Sequence, residues 1–444
     1  MTYSARCLAA AAIVAVLASL IPGCGGDDTS DGPAPVPVPD ELAHVFPANT
    51  VPHVSLVFDD GFEAVLGAFL NEGDLSYRPA TVLFNEESAP GVGVRLKGNL
   101  ESGFGLPEKK YGFKVNFDLF DGPHFHDVDS LHLQNNKPDP SAMREILAMR
   151  FYDAMGVMAS KAAFVTVEVD GKQQGLYTLV EEVDKRFLKF RFGTLNAADD
   201  GNLYKCVAPG CSLDYTSDDR EDYFIATCDE PGGCGLVLKT NTDDPAQNDY
   251  ADLVAFLALL EKTPDAEFEQ AISNAFEVDA FLRYLAVAAS IGHYESYLDK
   301  QNNFFLYHRP DTGTWTFIPW DANKTFGASK CPAVDSPAAG PVDPPVCGKG
   351  ARVLADRILA VDAFHQQYLA YVDQVFDTLL TPEQVSEWIA EADTLIRSRV
   401  QNDPAAIWDF EQYEAALTDQ SSDLDPMNLL EFVVARRLAI ESSR

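Results

Sequence analysis

Tyr297-Leu298-Asp299-Lys300-Gln301-Asn302-Asn303, followed by Pro319-Trp320-Asp321-Ala322-Asn323-Lys324-Thr325-Phe326-Gly327, decides how this chain is read. Between the two stretches, Phe304 to His308 and Trp315 to Trp320 flank Pro310-Asp311-Thr312-Gly313. Aromatic and β-branched runs around a Pro/Asp/Gly turn predict an antiparallel hairpin. A turn centred on Thr312 sets Asn303 opposite Asp321, and opposed Cβ atoms lie about 5 Å apart. Asp299 sits just before, on the loop entering the first strand. Two carboxylates and one or two amides therefore reach the same open end of the hairpin. At about 4 Å, two carboxylates repel by roughly 4 kcal/mol at an effective dielectric of about 20. A hard cation offsets that repulsion, and Asp and Asn oxygens suit magnesium, which keeps waters and phosphate oxygens as well. The structural alternative is that Asp299 turns the loop and Asp321 closes a surface turn with Thr325.

Working outward, the first half reads as strands and the second as helices, an α+β arrangement with two possible lobes. Val51 to Leu75 reads as a strand and a short helix; Thr81 to Asn85, Val92 to Leu96 and Tyr111 to Leu119 read as strands. A helix is expected to open at Asp139-Pro140, bury Met143, Ile146, Leu147, Phe151 and Ala154, and stop at Gly156. Phe164 to Val169, Asp170-Gly171 and Gly175 to Val180 form a second predicted hairpin. Helices are expected over Tyr250 to Glu261, Val278 to Ser290 and most of the chain from Arg352 onward.

A loop bearing Asp and Asn, a hairpin, and an Asp shortly before Phe-Gly is also how protein kinases orient the attacking hydroxyl and hold magnesium. Asp299 to Asn303, with the Asn-Asn-Phe-Phe-Leu-Tyr and Pro-Trp-Asp…Thr-Phe-Gly runs, resembles the signature of the CotH family of atypical kinases. Gly93-Val94-Arg95-Leu96-Lys97-Gly98-Asn99 and Lys109-Lys110-Tyr111-Gly112-Phe113-Lys114 resemble that family's N-lobe strands and phosphate-covering loop. Asp170-Gly171 to Gly175-Leu176-Tyr177 with Glu181, Met143-Arg144, Asn202-Leu203-Tyr204-Lys205 and the closing Phe432 to Leu438 helix fit in the same order. The resemblance implies a two-lobed, atypical protein-kinase-like α+β fold over 49–441, with a β-rich N-terminal and a helical C-terminal lobe. It implies Mg2+ and ATP as cofactors and a protein Ser/Thr hydroxyl as phosphate acceptor. Asp299 would be the catalytic carboxylate, Asp321 the main metal ligand, and Asn303 or Asn302 the second. Lys114, Lys97 and Arg95 would face ATP phosphates, and Glu181 the adenine or a phosphate-binding base. Asn323 stands where relatives often carry a second acid. The alternatives are a non-catalytic surface or coat lipoprotein and nucleotidyl transfer by the same site.

The N-terminus reads as a targeting segment. Arg6 precedes the apolar stretch Cys7 to Leu20, which ends in the lipobox-like Ile21-Pro22-Gly23-Cys24. This predicts a signal peptide over 1–23, lipidation at Cys24 and a disordered tether over 24–48. The expected product is an exported lipoprotein anchored to a membrane at the cell surface or in the periplasm, or else a secreted protein. Of the eight cysteines, Cys7 and Cys24 are assigned to the leader and anchor, leaving Cys206/Cys211, Cys228/Cys234 and Cys331/Cys347 as local pairs. Export favours disulfides; zinc is the competing reading, without Cys-x-x-Cys spacings or an adjacent His. A disulfide closing 330–348 would fix the segment after Phe326-Gly327, where kinases carry an activation segment. His124, His126 and His132 read as loop residues, because no third ligand stands near His-Phe-His. A net charge of −35 with no basic stripe disfavours nucleic acid. No P-loop, Gly-x-Ser-x-Gly or His-Glu-x-x-His motif is present.

Overall fold

A computed structural model describes residues 40–97, 110–122, 125–207, 210–226, 233–332, 334–348, 350–418 and 425–443. The calls on 1–23, Cys24, His124, Cys228, Gly98-Asn99 and Lys109 lie outside those residues. Seven strands close into a barrel: β1 (His53–Phe58), β2 (Arg78–Phe84), β3 (Glu87–Lys97), β4 (Gly112–Asn116), β5 (Ser130–Gln134), β6 (Ala162–Val169) and β7 (Lys172–Glu181). Their order is β1-β2-β3-β4-β5-β7-β6, antiparallel except where β6 runs parallel to β1. Strand alternation sends Val92, Val94 and Leu96, Phe113 and Val115, and Leu131 and Leu133 into the barrel core. The intervening Arg95, Lys97, Lys114 and His132 therefore point outward, and Arg95, Lys114 and His132 lie abreast on neighbouring strands.

Two short helices also bury side chains in the barrel core: α1 (Asp40–Val45) through Leu42 and Val45, and α2 (Phe62–Glu72) through Val65 and Phe69. The folded body thus starts within the stretch expected to be tether, 24–48. The reason is local: Leu42, Val45 and Phe46 are apolar at helical spacing and find a core to cover.

After β5 comes α3 (Arg144–Ala154), and after β7 comes α4 (Lys185–Phe192). A second sheet follows, built from β8 (Asn202–Val207), β9 (Phe224–Ile225), β10 (Cys234–Leu238), β11 (Phe304–His308) and β12 (Trp315–Pro319) in the order β12-β11-β8-β10-β9. The remaining helices are α5 (Ala251–Lys262), α6 (Asp265–Ala275), α7 (Val278–Ser290), α8 (Val353–Leu359), α9 (Asp362–Gln374), α10 (Pro382–Gln401), α11 (Phe410–Ala416) and α12 (Leu429–Ser443). They share with α3 and one face of the second sheet a larger apolar core. The opposite face of that sheet, through Leu203, Phe305, Ile318 and Trp320, packs with Val180 of β7 and with Phe187 and Leu188 of α4. Among the described residues, no helix is long and apolar enough to cross a membrane.

Two local expectations are corrected. The helix begins at Arg144, not at Asp139-Pro140, because Ala142 adopts φ 55° and breaks the spiral. Asp139 still organises its start, accepting the backbone N–H groups of Ser141 (2.9 Å) and Arg144 (2.8 Å). Ala154, expected on the buried face, is exposed. In the β11–β12 hairpin, Phe304 pairs with Pro319 and His308 with Trp315. The turn centre falls between Asp311 and Thr312, so Asn303 meets Trp320, whose N–H donates to the Asn303 carbonyl (3.0 Å). Asp321 lies one residue further on.

Disulfides join Cys206 to Cys211 and Cys331 to Cys347, with Cα–Cα distances of 6.0 and 5.3 Å. Cys234 is also disulfide-bonded.

Candidate active site

The outward side chains of β3, β4 and β5 are covered by the second sheet, so a polar stripe that would otherwise be solvated is buried. Lys114 pairs with Glu182, just past the end of β7, at 2.6 Å, and His132 bonds the same carboxylate oxygen through Nε2. Burial favours protonation of Glu182, but His132 and Lys114 outweigh it and hold the carboxyl well below its usual range. Burial, reinforced by Lys97, keeps His132 neutral, well below the ordinary imidazole range. His132 is therefore a buried strand residue, not the loop residue expected. Trp320 meets its ring edge-on (5.1 Å between centroids) and lies under the Nζ atoms of Lys205 (5.1 Å) and Lys97 (6.0 Å). Burial pushes Lys205 down to about 8, and it also lowers Lys97, against the pull of Asp321, Glu145 and Glu182. Arg95 lies over the Tyr77 ring, 5.4 Å from its centroid.

Asp321 leaves β12 in the left-handed region (φ 54°), as do Asn303 (φ 55°) and Gln301 (φ 54°) at the start of the hairpin. Non-glycine residues hold this conformation only when their surroundings enforce it. At Asp321 the restraint is His293, whose Nε2 lies 3.2 Å from the Asp321 carbonyl while Nδ1 lies 2.8 Å from the Tyr152 hydroxyl. A carbonyl only accepts, so Nε2–H donates and Nδ1 accepts from Tyr152. Burial keeps this imidazole neutral by pushing its pKa down to about 4.

The loop after Asp321 is clamped by the start of α3. Ala322 N–H donates to Glu145 Oε1 (3.2 Å), and Arg144 Nε donates to the Thr325 carbonyl (3.1 Å). The Thr325 hydroxyl donates to the Ala322 carbonyl (2.9 Å), so the turn it closes does not use the Asp321 side chain. Burial and then the charge of Asp321 push Glu145 up to about 8. Two acids thus share this corner, and one holds a proton at neutral pH.

Asp299 is 9% exposed. Its carbonyl accepts from Arg352 Nη2, and Cys347 N–H donates to the neighbouring Leu298 carbonyl (3.1 Å), so the disulfide-closed segment seats the Asp299 loop. Among the described residues, Asp299 Oδ2, Asn302 Oδ1, Asp321 Oδ1, Glu145 Oε2 and Lys97 Nζ are buried without a hydrogen-bond partner. Asn303 Nδ2, in contrast, donates to the Glu295 carbonyl (2.7 Å). Oxygens orphaned on Asp and Asn are the donor set magnesium accepts, and a buried ammonium without a partner suits a phosphate oxygen. These residues fit Mg-ATP.

Glu181 is engaged elsewhere: Arg191 Nη1 donates to it at 2.7 Å and Lys161 N–H at 2.9 Å. The acid facing the lysines is Glu182. Glu145, Glu182 and His293 were missed in the sequence. For Glu182 the signal was present, as Glu181-Glu182 closing a strand, but not which acid turns toward Lys114.

The chain is 27% identical over 307 residues to the inner spore coat protein H of Bacillus subtilis (strain 168), a match covering 69% of this chain and 78% of that one. It is 24% and 23% identical to the invasins CotH2 and CotH3 of Rhizopus delemar, over 44% of this chain but only 32% and 31% of theirs. A family described as CotH kinase protein matches residues 94–440, from within β3 to the last helix, and the chain belongs to that family.

Proposed function

We propose that this protein is a Mg2+-dependent phosphotransferase that moves the γ-phosphoryl group of ATP to a Ser or Thr hydroxyl of a protein. In this reading the barrel is the N-terminal lobe of a kinase-like fold and the helical half the C-terminal lobe. The observation that carries it is that Asp299 Oδ2, Asn302 Oδ1, Asp321 Oδ1 and Lys97 Nζ are buried without a hydrogen bond, Asp299 Oδ2 having the Lys300 ammonium 3.6 Å away. Each unmet buried polar group costs about 1–3 kcal/mol, which a ligand recovers. Asp321 with Asn302 would hold the ion, Asn302 being preferred to Asn303 because its oxygen is the orphaned one. When bound, the ion neutralises phosphate charge. Lys97, Lys114, Lys205 and Arg95 face the phosphates, and Asp299 takes the proton of the attacking hydroxyl. The new bond joins that oxygen to the γ-phosphorus, the bond to the β,γ-bridging oxygen breaks, and ADP leaves.

A binding or coat role without catalysis is the second reading, favoured by the names of the relatives, a spore coat protein and two invasins. Those names, the disulfides and the lipobox-like Cys24 support an exported or coat-associated location for this chain. The test is incubation with ATP labelled at the γ- or α-position, with Mg2+, in wild type, Asp299→Ala and Asp321→Ala. Transfer of γ-label by wild type alone is expected. Transfer of α-label selects nucleotidyl transfer, and no transfer together with no Mg-ATP thermal shift selects the binding role.

A further inference from the structure

His44 in the last turn of α1, Glu87 at the start of β3 and His126 in the turn after Phe125 meet on the outside of the barrel, with Glu87 at the opposite end of β3 from Arg95 and Lys97. His44 Nε2 lies 2.8 Å from Glu87 Oε1, and His126 Nε2 lies 2.8 Å from Glu87 Oε2. The three ligand atoms all fall within 4.8 Å of one another, and the imidazole centroids are 4.2 Å apart. The three residues are far apart in the chain, 43 positions between His44 and Glu87 and 39 between Glu87 and His126, so no single helix or strand period brings them together. His126 and the following Asp127 both take left-handed backbone, φ 49° and φ 57°, and the imidazole meets the carboxylate from that conformation.

We propose that His44, Glu87 and His126 form a binding site for a transition-metal ion of the zinc type, which fastens α1 to the barrel. Two imidazoles and one carboxylate make the His2Glu donor set of zinc sites that keep a fourth position for water. Imidazole nitrogen is a poor ligand for magnesium or calcium, which take oxygen. The chemistry is thus opposite in preference to the all-oxygen set of Asp299, Asn302 and Asp321. Zn–N and Zn–O bonds of about 2.0–2.2 Å bring the three donor atoms within roughly 3.5 Å of one another, a small closure of partly exposed side chains. A neutral imidazole coordinates by moving its proton from Nε2 to Nδ1. Glu87 is already a carboxylate, so binding above the imidazole range releases no proton. The consequence is mechanical. α1 is the first described element and lies within the stretch expected to be tether, and an ion shared by His44, Glu87 of β3 and His126 between β4 and β5 would fasten that stretch to the barrel.

The full-length protein, stripped with EDTA, is titrated with Zn2+ by calorimetry and with Co2+ by visible absorption. Amide exchange over 41–46 is followed in parallel. The expected results are one saturable zinc site, a cobalt spectrum of low-coordinate type, and slower exchange in α1 with zinc. His44→Gln and His126→Gln should weaken zinc at least tenfold while circular dichroism stays unchanged, since both side chains are partly exposed (44% and 29%). Asp321→Ala should leave zinc binding as in wild type. The proposal is overturned if no saturable isotherm appears, if both His variants bind as wild type, or if Asp321→Ala abolishes binding. An isotherm kept in the His variants would mean that the three residues form only a hydrogen-bonded cluster.

Discussion

Among the described residues Glu182 is the one carboxylate that Lys114 and His132 both contact, so Glu182→Gln tests whether the covered stripe is held by charge. The Lys114–Glu182 pair is 2.6 Å long, with side chains 16% and 4% exposed. Removing one member of a buried pair costs about 3–5 kcal/mol, because the other charge stays buried and uncompensated. Unfolding entropy near 2.1 cal/mol/K per residue, over about 400 folded residues, gives roughly 0.8 kcal/mol per degree. The melting temperature should therefore fall by about 4–6 °C. Lys114→Met/Glu182→Gln, which removes both charges, should recover much of that loss, leaving a coupling of at least about 2 kcal/mol in the double-mutant cycle with Lys114→Met. The assay is guanidinium and thermal unfolding of the four proteins. Mg-ATP adds a functional readout: with Glu182 neutral, phosphate is the counter-charge left to Lys114, so nucleotide should raise the melting temperature of Glu182→Gln more than that of wild type. A cost below about 1 kcal/mol, typical of exposed pairs, or additive single-mutant losses, would refute the reasoning.

Glu145 gives a pH test. Its folded pKa of about 8 lies above the usual carboxylate value, so the folded state binds the extra proton and stability falls as pH rises from about 4.5 to 8. The full span is on the order of 5 kcal/mol, and Glu145→Gln should flatten the wild-type decline in denaturation midpoints across that window; an unchanged slope sinks the assignment. Gly348→Ala places a Cβ 2.3 Å from Asp299 Oδ1, 2.6 Å from Arg352 Nη2 and 2.8 Å from the Asp299 carbonyl oxygen. A displaced Asp299 should lower kcat roughly 100-fold, and because the backbone and the buried Arg352 must also shift the melting temperature should fall too; a kcat within about twofold of wild type would show that Asp299 tolerates displacement. Cys331→Ser opens a disulfide closing a 16-residue separation, which should destabilise the protein by about 3 kcal/mol and loosen the Asp299 loop through the Cys347–Leu298 hydrogen bond; full activity with normal substrate affinity would confine the bridge to stability.

How much of this was legible depends on the range of the interaction. The β6–β7 hairpin and α7 follow from turn residues and periodicity, and they lie where the sequence places them. The hairpin carrying Asp299 and Asp321 was legible too, but its register was not. Whether Pro310 to Gly313 closes as an even or an odd loop shifts Asn303 from Asp321 to Trp320, and turn composition alone does not fix that parity. The barrel was illegible as a barrel, since closure depends on β6 returning beside β1, a pairing more than a hundred residues apart in sequence. β5 is short, five residues, and offers little pattern to read; α6 was missed although Thr263-Pro264 with Asp265 and Glu267 in its first turn is a helix start.

The harder failure is the outward stripe on β3–β5. Arg95, Lys97, Lys114 and His132 alternate with core residues, which is the pattern of a solvated sheet face, and nothing local announces that a second sheet will cover them. What separates such a stripe from ordinary surface is its sign against the rest of the chain. With 33 Lys and Arg against 68 Asp and Glu, surface positions should be acidic about twice as often as basic. Lys97, Lys114 and Lys205 instead converge around Glu182, in a covered place where burial works against each positive charge. Burying ammonium groups together is unfavourable unless an anion accompanies them. Glu182 acts on all three lysines, and Asp321 and Glu145 act on Lys97 as well; under the proposed function the phosphates of ATP add the further negative charge that a buried group of ammonium ions calls for.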